Sequence, residues 1–352
     1  MKELTIQAIE LLKSLIKTPS FSGKEEKTGD LIEAFFNKKN IPSQRLGNNI
    51  IVRNQHFETS KKTIVLNSHH DTVKVNNGWT KDPFGAAVSD GKLYGLGSND
   101  AGASLVSLIA TFCFFYDKKL PFNLVLIASA EEENFGPGGI KSVLPTLDFE
   151  IEFAIVGEPT EMQPAVAEKG LLVIDGLMKG EAGHAARPNG KNAIDLVLQD
   201  LVWLKNFEFE KRSPVLGKTI HSVTQINAGM QHNVIPDECR FVMDVRVNEL
   251  YKLENVVEVL QSGCQSKLTA RSYRNRPSSI ALDHPIVQRA EAIGRVPFGS
   301  PTLSDQVHFD CPSLKIGPGK SERSHQADEF IFLKEIEEGI GIYIELLKDF
   351  YF

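Results

Sequence analysis

The chain has 352 residues, which exceeds the usual size of a single hydrophobic core and predicts two domains. Hydrophobic residues at 41% and charged residues at 24% are typical of an ordinary globular protein. The net charge of −6 and the pI near 5.9 argue against nucleic acid or an anionic membrane surface as the main partner. No apolar run approaches the roughly 20 residues that a membrane helix needs.

The N-terminal segment and the cysteines indicate the compartment. MKELTIQAIELLKSLIK has the pattern of an amphipathic helix with scattered charges, which differs from a signal peptide. The chain has four cysteines, and none forms a CxxC pair, which argues against a zinc knuckle or a redox pair. We therefore expect a cytoplasmic protein with free structural thiols.

The first part of the chain alternates predicted helices with short apolar strands. Helices are predicted over residues 2–17, 24–39 and 101–116, and strands over residues 49–53, 63–66, 123–128 and 153–156. Almost fully apolar strands are typical of sheets that are covered on both faces, so the alternation predicts a layered α/β fold. In such sheets, ligands bind at the carboxyl ends of the strands.

A second unit is predicted from about residue 171. Its pattern is a strand over 171–180, a helix over 192–206, strands over 219–227 and 238–246, a helix over 250–261 and a strand over 267–273. The order β-α-β-β-α-β predicts a ferredoxin-like sandwich of about 100 residues. The chain then returns to the first domain and ends in a predicted helix over 333–350. We predict a discontinuous first domain, 1–170 with 278–352, and a second domain, 171–277.

Residues of metal-binding type recur at predicted strand ends and in loops. They are His69 and Asp71, Asp100 in GLGSNDAGA, Glu132 and Glu133, Glu158 in VGEPT, and His325 in GPGKSERSH. Each is weak evidence alone, since Asp100 could be a helix N-cap and His325 a surface histidine. Three consecutive acids after an apolar strand, however, repel one another unless cations are near. Together the set offers the imidazoles and carboxylates that two zinc-like ions need.

The order of these motifs resembles the M20 family of dinuclear zinc hydrolases. The motifs are HxD at residue 69, GxGxxD at residue 95, EE at residue 132, GEPT at residue 157, GxxxH at residue 180, NVIP at residue 233, DxR at residue 244 and GPG with a following His at residue 317. The resemblance runs from about residue 11 to residue 330. The segments GSPTLSD and IGPGKSERSH are most similar to the acetylornithine/acetylcitrulline deacetylase branch of that family.

The resemblance implies a fold and a metal centre. The fold is a three-layer α/β catalytic domain with a mixed sheet, and an inserted ferredoxin-like α+β lid that also forms a dimer. His69 and Glu158 would bind one zinc ion, Glu133 and His325 the other, and Asp100 would bridge the two. Cobalt or manganese could replace zinc in a site with nitrogen and oxygen ligands. A cis peptide is expected directly after Asp100.

The remaining roles are implied in the same way. Glu132 would be the general base and acid, and Asp71 would orient His69. His184 would stabilise the oxyanion, while Asn233 and Arg246 would contact the substrate, with Arg246 a candidate for its α-carboxylate.

The implied function is hydrolysis of the amide bond of an N-acyl amino acid, such as N-acetyl or N-succinyl ornithine or citrulline, in arginine biosynthesis. We expect a homodimer that binds a small molecule and neither nucleic acid nor membrane. A dipeptidase or aminopeptidase, an enzyme like succinyl-diaminopimelate desuccinylase, and a metal-free binding homologue are the alternatives. Leu96, Gly102 and Glu131 stand where the family commonly has Arg, Lys and Asp, so the surroundings of the ligands differ while no ligand is lost.

Overall fold

The computed structural model describes residues 1–187 and 189–352, so Pro188 lies outside the described residues. Eight α-helices occur in the described ranges: α1 (Lys2–Ile16), α2 (Glu26–Lys38), α3 (Ala103–Phe115), α4 (Ile140–Val143), α5 (Ala193–Asn206), α6 (Leu253–Gly263), α7 (Pro285–Ala292) and α8 (Leu333–Leu347). An irregular turn, Ser98–Gly102, directly precedes α3, and its Asp100 and Ala101 have non-helical backbone angles.

The strands of the described ranges number twenty: β1 (Ser43–Leu46), β2 (Asn49–Arg53), β3 (Thr63–His69), β4 (Val88–Ser89), β5 (Lys92–Tyr94), β6 (Asn123–Ser129), β7 (Ile151–Val156), β8 (Ala165–Glu168), β9 (Gly170–Lys179), β10 (Gly183–His184), β11 (Arg212–Ser213), β12 (Gly217–Lys218), β13 (Ile220–Ala228), β14 (Val234–Ile235), β15 (Glu238–Val247), β16 (Lys267–Ala270), β17 (Ser278–Ser279), β18 (Phe298–Ser300), β19 (Ser313–Lys315) and β20 (Phe330–Phe332).

The chain divides into two compact units. The first consists of Met1–Val166, Ser279–Phe298 and Ser304–Phe352, and the second of Ala167–Ser278 and Gly299–Leu303. The domain boundaries proposed near residues 171 and 277 stay a prediction.

A mixed nine-stranded sheet forms the centre of the first unit. Its strand order is β1-β2-β6-β3-β7-β19-β8-β17, and β18 also pairs with β8. The central strands β6, β3, β7 and β19 run parallel, whereas β1, β2 and β8 join antiparallel. Both β3 and β6 are buried along their whole length, as expected for strands with helices on both faces.

Side chains that alternate along these strands build two apolar layers. On one face, Ile51, Val65 and Val125 pack with Ile140 and Val143 of α4. On the other face, α3 packs on β3 and β6 and is flanked by α1 and α8. The segment Ser98–Phe115 is long and apolar enough to span a membrane, but 83% of it is buried inside the protein as a core helix. The predicted three-layer α/β architecture is confirmed.

The second unit is a sandwich of one sheet and two helices. Its four-stranded antiparallel sheet has the order β13-β15-β9-β16, which with α5 and α6 gives the predicted ferredoxin-like β-α-β-β-α-β arrangement. Alternate residues of β9 and β15 face the helices, and their core includes Leu172, Ile174, Phe241, Val197 and Leu260.

Candidate metal centre

Three adjacent parallel strands of the first unit bring the predicted ligands together. Strand β3 ends at His69, which pairs with Ser129 at the end of β6. Glu132 and Glu133 follow β6, and Glu158 follows the end of β7, which is the neighbour of β3 on its other side. Because parallel strands end at the same edge of a sheet, these side chains meet there.

Two loops complete the cluster. Asp100 lies in the turn before α3, and the peptide bond from Asp100 to Ala101 is cis, as the resemblance implied. His325 lies in the loop between β19 and β20 and has a φ of 61°. Both residues are hydrogen-bonded to other loops, Asp100 to Glu329 and His325 to Asn76.

The distances divide the cluster into two groups that share Asp100. His69 Nε2 lies 3.4 Å from Asp100 Oδ1, 3.6 Å from Glu158 Oε1 and 3.9 Å from Glu132 Oε2. His325 Nε2 lies 2.9 Å from Glu133 Oε2 and 3.6 Å from Asp100 Oδ2. Asp100 therefore presents one carboxylate oxygen to each imidazole.

The environment of His69 tests whether these residues fit a metal ion. Its Nδ1 lies 3.0 Å from the carbonyl oxygen of Asp71, to which it donates, so in the neutral imidazole that binds a metal Nε2 carries the free lone pair. That Nε2 is buried and has no hydrogen-bond partner among the described residues. Two ligand atoms about 2.0–2.2 Å from a tetrahedral zinc ion are about 3.3 Å apart, close to the distances to Asp100 and Glu158. The residues fit a divalent cation.

The electrostatics of the cluster point the same way. Burial, reinforced by neighbouring carboxylates, raises the pKa of Glu132 and of Glu158 well above the usual value. Burial opposes protonation of His69, but Asp100 and Asp71 together raise its pKa well above the usual range. The hydrogen bond to Glu133 raises the pKa of His325 to about 9. Without cations, the cluster therefore reduces its internal repulsion by retaining protons.

Asp71 has a wider structural role than orienting His69. Its carboxylate accepts hydrogen bonds from the backbone N–H groups of Glu132, at 3.0 Å, and of Glu133, at 3.2 Å, and from Ser22 Oγ at 2.7 Å. His69 is bound more closely by the backbone carbonyl of Asp71, at 3.0 Å, than by its carboxylate, at 3.4 Å. Asp71 thus connects the end of β3 with the Glu132 turn.

The three residues that depart from the family pattern differ in their surroundings. A side chain at Gly102 would collide with the carbonyl oxygen of Gly97 and with Leu12, so a larger residue does not fit here. Leu96 is buried, with 4% of its surface exposed. Glu131 has a φ of 53° and accepts a hydrogen bond from the backbone N–H of Gly138.

Two buried acids beside the cluster were not predicted. Glu329 accepts hydrogen bonds from three backbone N–H groups of the Asp100 turn, and burial raises its pKa to about 8. Asp305 accepts a hydrogen bond of 2.5 Å from Ser129 Oγ, and burial raises its pKa to about 6. The sequence offered one signal for each, the acid pair in ADEF after His325 and the SD of GSPTLSD.

The other predicted site residues belong to the second unit. His184 and Asn233 are exposed and adjacent, since the backbone N–H of Ala185 donates to the carbonyl oxygen of Asn233 at 3.0 Å. Arg246 is half-buried on β15, where Asp244 accepts hydrogen bonds from its Nε at 2.8 Å and its Nη2 at 3.2 Å. The cluster of the first unit is thus formed without these three residues.

Two related proteins of known name align with nearly the whole chain. The chain is 29% identical to an acetylornithine deacetylase of Proteus mirabilis, with 97% of this chain and 96% of the relative aligned. It is 25% identical to a succinyl-diaminopimelate desuccinylase of Cereibacter sphaeroides, with 99% of this chain and all of the relative aligned.

Solved structures show the same fold. Aminopeptidase PepT of Bacillus cereus superposes with a TM-score of 0.77 at 17% identity, covering 97% of this chain and 98% of that one. A dinuclear metal-binding peptidase from Bacillus subtilis superposes with a TM-score of 0.74 at 16% identity, covering 99% of this chain and 98% of that one. Residues 65–349 match the description "Peptidase family M20/M25/M40". The predicted family is thereby confirmed, and the chain belongs to peptidase family M20/M25/M40.

Proposed function

We propose that this protein is a two-metal amidohydrolase that removes the acyl group from an N-acyl amino acid. The observation that carries the proposal is the buried Nε2 of His69, which has no hydrogen-bond partner among the described residues and lies 3.4 Å from Asp100 Oδ1 and 3.6 Å from Glu158 Oε1. Two divalent metal ions, which we propose to be zinc, would polarise the amide carbonyl and acidify the attacking water. Cobalt or manganese could serve in their place.

The residues of the chain would bind the metal ions and transfer the proton. His69 and Glu158 would hold one ion, Glu133 and His325 the other, and the two oxygens of Asp100 would serve both. Glu132 would accept the proton of the attacking water and deliver it to the leaving nitrogen. The position of Glu132 supports this role, since its Oε2 lies beside the cluster, 3.9 Å from His69 Nε2.

The second unit would supply contacts to the substrate. We assign His184 to the developing oxyanion and Asn233 to a further contact with the substrate. We assign Arg246 to the α-carboxylate. Asp244 accepts from Nε and Nη2 of Arg246, so within the described chain the Nη1 amino group remains for a substrate carboxylate.

The names of the similar proteins suggest the acyl amino acid. Acetylornithine and succinyl-diaminopimelate are named for relatives that align over nearly the whole chain. We propose an N-acetylated or N-succinylated amino acid, with acetylornithine or acetylcitrulline as first candidates and arginine biosynthesis as the pathway.

A substrate screen with the zinc-loaded protein tests this. It should include N-acetyl and N-succinyl forms of ornithine, citrulline and diaminopimelate, together with several dipeptides and tripeptides. Release of a free amino group from an acyl amino acid, but not from the peptides, is the expected result. Turnover of peptides alone would replace the deacylase proposal with a peptidase.

We further propose a homodimer that forms through the second unit. Three apolar residues one turn apart on α5, Ile194, Leu198 and Val202, are 39%, 51% and 60% exposed. Strand β13 beside them is an edge of the four-stranded sheet, and its Ile220 and Ile226 are 55% and 51% exposed. An open apolar edge of this kind commonly pairs with another chain.

Mixing two inactive variants tests whether the dimer completes the active site. If His184 serves the partner's site, His184→Ala mixed with Glu132→Gln creates one site per mixed dimer that has both groups, so activity partly returns. The single variants, each exchanged against itself, are the controls. No recovery despite proven subunit exchange would show that His184 acts within its own chain or has no catalytic role.

A further inference from the structure

Two adjacent acidic residues, Asp328 and Glu329, lie between His325 and strand β20. Neither belongs to the proposed ligand set. Each carboxylate accepts hydrogen bonds from the backbone of a different loop of the first unit. One loop contains the ligand Asp100, and the other is hydrogen-bonded to the ligand His325. We call them the Asp100 turn, residues 95–102, and the Asn76 loop, residues 73–84.

Glu329 binds the Asp100 turn. Its Oε1 accepts hydrogen bonds from the backbone N–H of Asn99 at 2.7 Å and of Asp100 at 3.0 Å, and its Oε2 accepts one from Gly97 at 3.1 Å. Its carbonyl oxygen accepts a fourth from the N–H of Gly95 at 3.0 Å. Only 3% of Glu329 is exposed, so these contacts are shielded from water.

The arrangement at Glu329 fixes the turn that carries the bridging ligand. Asn99 is held a second time, because its side-chain oxygen accepts from the N–H of Lys320 at 3.0 Å and its amide nitrogen donates to the carbonyl oxygen of Lys320 at 3.0 Å. Gly97 has a φ of 76°, which glycine adopts readily. The backbone on the N-terminal side of Asp100 is therefore held from two directions.

Asp328 binds the Asn76 loop. Its Oδ1 accepts hydrogen bonds from the backbone N–H of Thr80 at 2.9 Å and of Lys81 at 2.9 Å, and its Oδ2 accepts one from the hydroxyl of Thr80. In return, Asn76 Nδ2 donates to the carbonyl oxygen of His325 at 2.9 Å. The loop bound by Asp328 thus holds the backbone of the ligand His325.

We propose that Glu329 and Asp328 are positioning residues for the two metal ions. Glu329 sets the bridging ligand Asp100, and Asp328 sets the terminal ligand His325 through the Asn76 loop. Metal sites require ligands held to within about 0.5 Å, and outer partners that fix ligands commonly contribute about 10–100-fold to metal affinity. This inference rests on the proposed two-metal function and assigns its geometry to two further residues.

The proposal predicts different metal-binding defects for the two positions. Glu329→Gln replaces one acceptor oxygen with an NH₂ group that opposes a backbone N–H, so the Asp100 turn shifts. Because Asp100 serves both ions, the affinity for both should fall about 10–100-fold. Asp328→Ala removes the three contacts to the Asn76 loop, so only the ion held by Glu133 and His325 should weaken.

Two matched variants control for loss of a structural contact. Asp200 is a buried carboxylate of the second unit that accepts from the backbone N–H of Gln265 at 3.0 Å and of Ser266 at 2.7 Å. Asp200→Asn therefore makes the same chemical change as Glu329→Gln in another unit. Asp82 accepts a hydrogen bond from the backbone N–H of Phe84 at 2.9 Å. Asp82→Ala therefore removes a contact within the Asn76 loop, and that contact does not involve a ligand residue.

Chelated protein of all five forms, wild type included, is titrated with Zn²⁺ in competition with a chromophoric chelator, and thermal unfolding of the metal-free proteins is measured alongside. We expect the affinity losses in Glu329→Gln and Asp328→Ala, normal affinities in Asp200→Asn and Asp82→Ala, and no correlation between affinity and metal-free melting temperature.

Several results would overturn the inference. One is wild-type affinity for both ions in the two site variants. Another is equal weakening of both ions by Asp328→Ala, and a third is an affinity loss in Asp200→Asn that matches its loss of stability. If Glu329→Gln fails to fold, the selective loss predicted for Asp328→Ala decides alone. A wild-type protein that takes up no divalent metal would instead refute the proposed function.

Discussion

The surface of the second unit and the sheet edge of the first unit treat acidic side chains in different ways. On the second unit, Asp175 pairs with Arg271 at 2.8 Å and Asp244 with Arg246 at 2.8 Å, and all four side chains are partly exposed. At the sheet edge of the first unit, four carboxylates, those of Asp100, Glu132, Glu133 and Glu158, converge on two imidazoles.

The difference distinguishes carboxylates that are neutralised by a neighbouring group from clustered carboxylates that form a ligand-binding site. A carboxylate with its own guanidinium or with backbone N–H donors, such as Asp200, is satisfied within the protein. Four ionised carboxylates with two neutral imidazoles would carry excess negative charge, which the metal-free cluster reduces only by retaining protons. Added divalent cations would balance this charge.

The largest effect is expected for the proposed proton carrier. Glu132→Gln keeps a side chain of the same shape but cannot accept a proton, so the turnover rate should fall by about 10²–10⁴-fold or more while both metal ions remain bound. Steady-state kinetics and metal analysis of the same preparation measure the two quantities.

The neighbouring residue is the matched control for that prediction. Glu133→Gln has the same chemical change one position along the chain, but Glu133 contacts His325 at 2.9 Å, so metal content should fall as well as activity. Near-normal turnover in Glu132→Gln, or metal loss from it instead of from Glu133→Gln, would reverse the assignment.

Metal removal should destabilise the first unit more than the second. Ions that bind only the folded protein contribute about 2.7 kcal/mol per site at a free concentration 100 times the dissociation constant. Chelation should therefore lower the unfolding midpoint in urea, and zinc should restore it. In the variant Glu158→Gln, zinc should raise the unfolding midpoint by less than it does in the wild type. An unchanged midpoint on chelation would mean that the cluster is stable without cations.

Metal affinity should also depend on pH. The imidazole of His325 must be neutral to bind an ion, whereas Glu133 raises the pKa of His325 from 6.5 to about 9 in the metal-free protein. Binding below about pH 9 therefore releases this proton, and affinity at that site should rise by up to tenfold per pH unit between about pH 6.5 and 8.5.

The stability of the metal-free protein should change with pH in the opposite direction to the metal affinity. A raised histidine pKa stabilises the folded state below about pH 6.5, and that contribution disappears as the pH rises through about 9. Zinc titrations at several pH values test the rise in affinity, and His325→Ala should lose this component of the slope. An affinity at the second site that does not change with pH would contradict the proposed role of His325.

The sequence patterns predicted most helices and the strands of five or more residues, and they missed most of the shorter strands. Strand β2 was predicted with the observed bounds, and the predictions for α1 and α5 agree to within one residue at each end. Strand β19 was missed, because it has only three residues, and it is formed by parallel pairing with β7. Its signal is tertiary, and no periodicity can reveal so short a segment.

The same reason limits what could be predicted of the site. His69, Glu132 and Glu158 stand at or just after apolar strands, so the rule that ligands collect at the carboxyl ends of strands identifies them from the sequence. Glu329 binds backbone N–H groups about 230 positions earlier in the chain. That contact leaves no local pattern, because backbone donors are the same at every residue other than proline.

The smallest effect is expected on the second unit. In Asp244→Asn, Arg246 loses its charged partner, but both side chains are more than a third exposed and are screened by solvent. Such pairs contribute about 0–1 kcal/mol, so the free energy of unfolding should change by less than about 1 kcal/mol, and metal content should stay the same. Urea denaturation at low and high salt measures this. A loss of several kcal/mol, or a loss of metal, would show that the acids of the second unit are not the self-neutralised surface charges that the contrast with the metal centre requires.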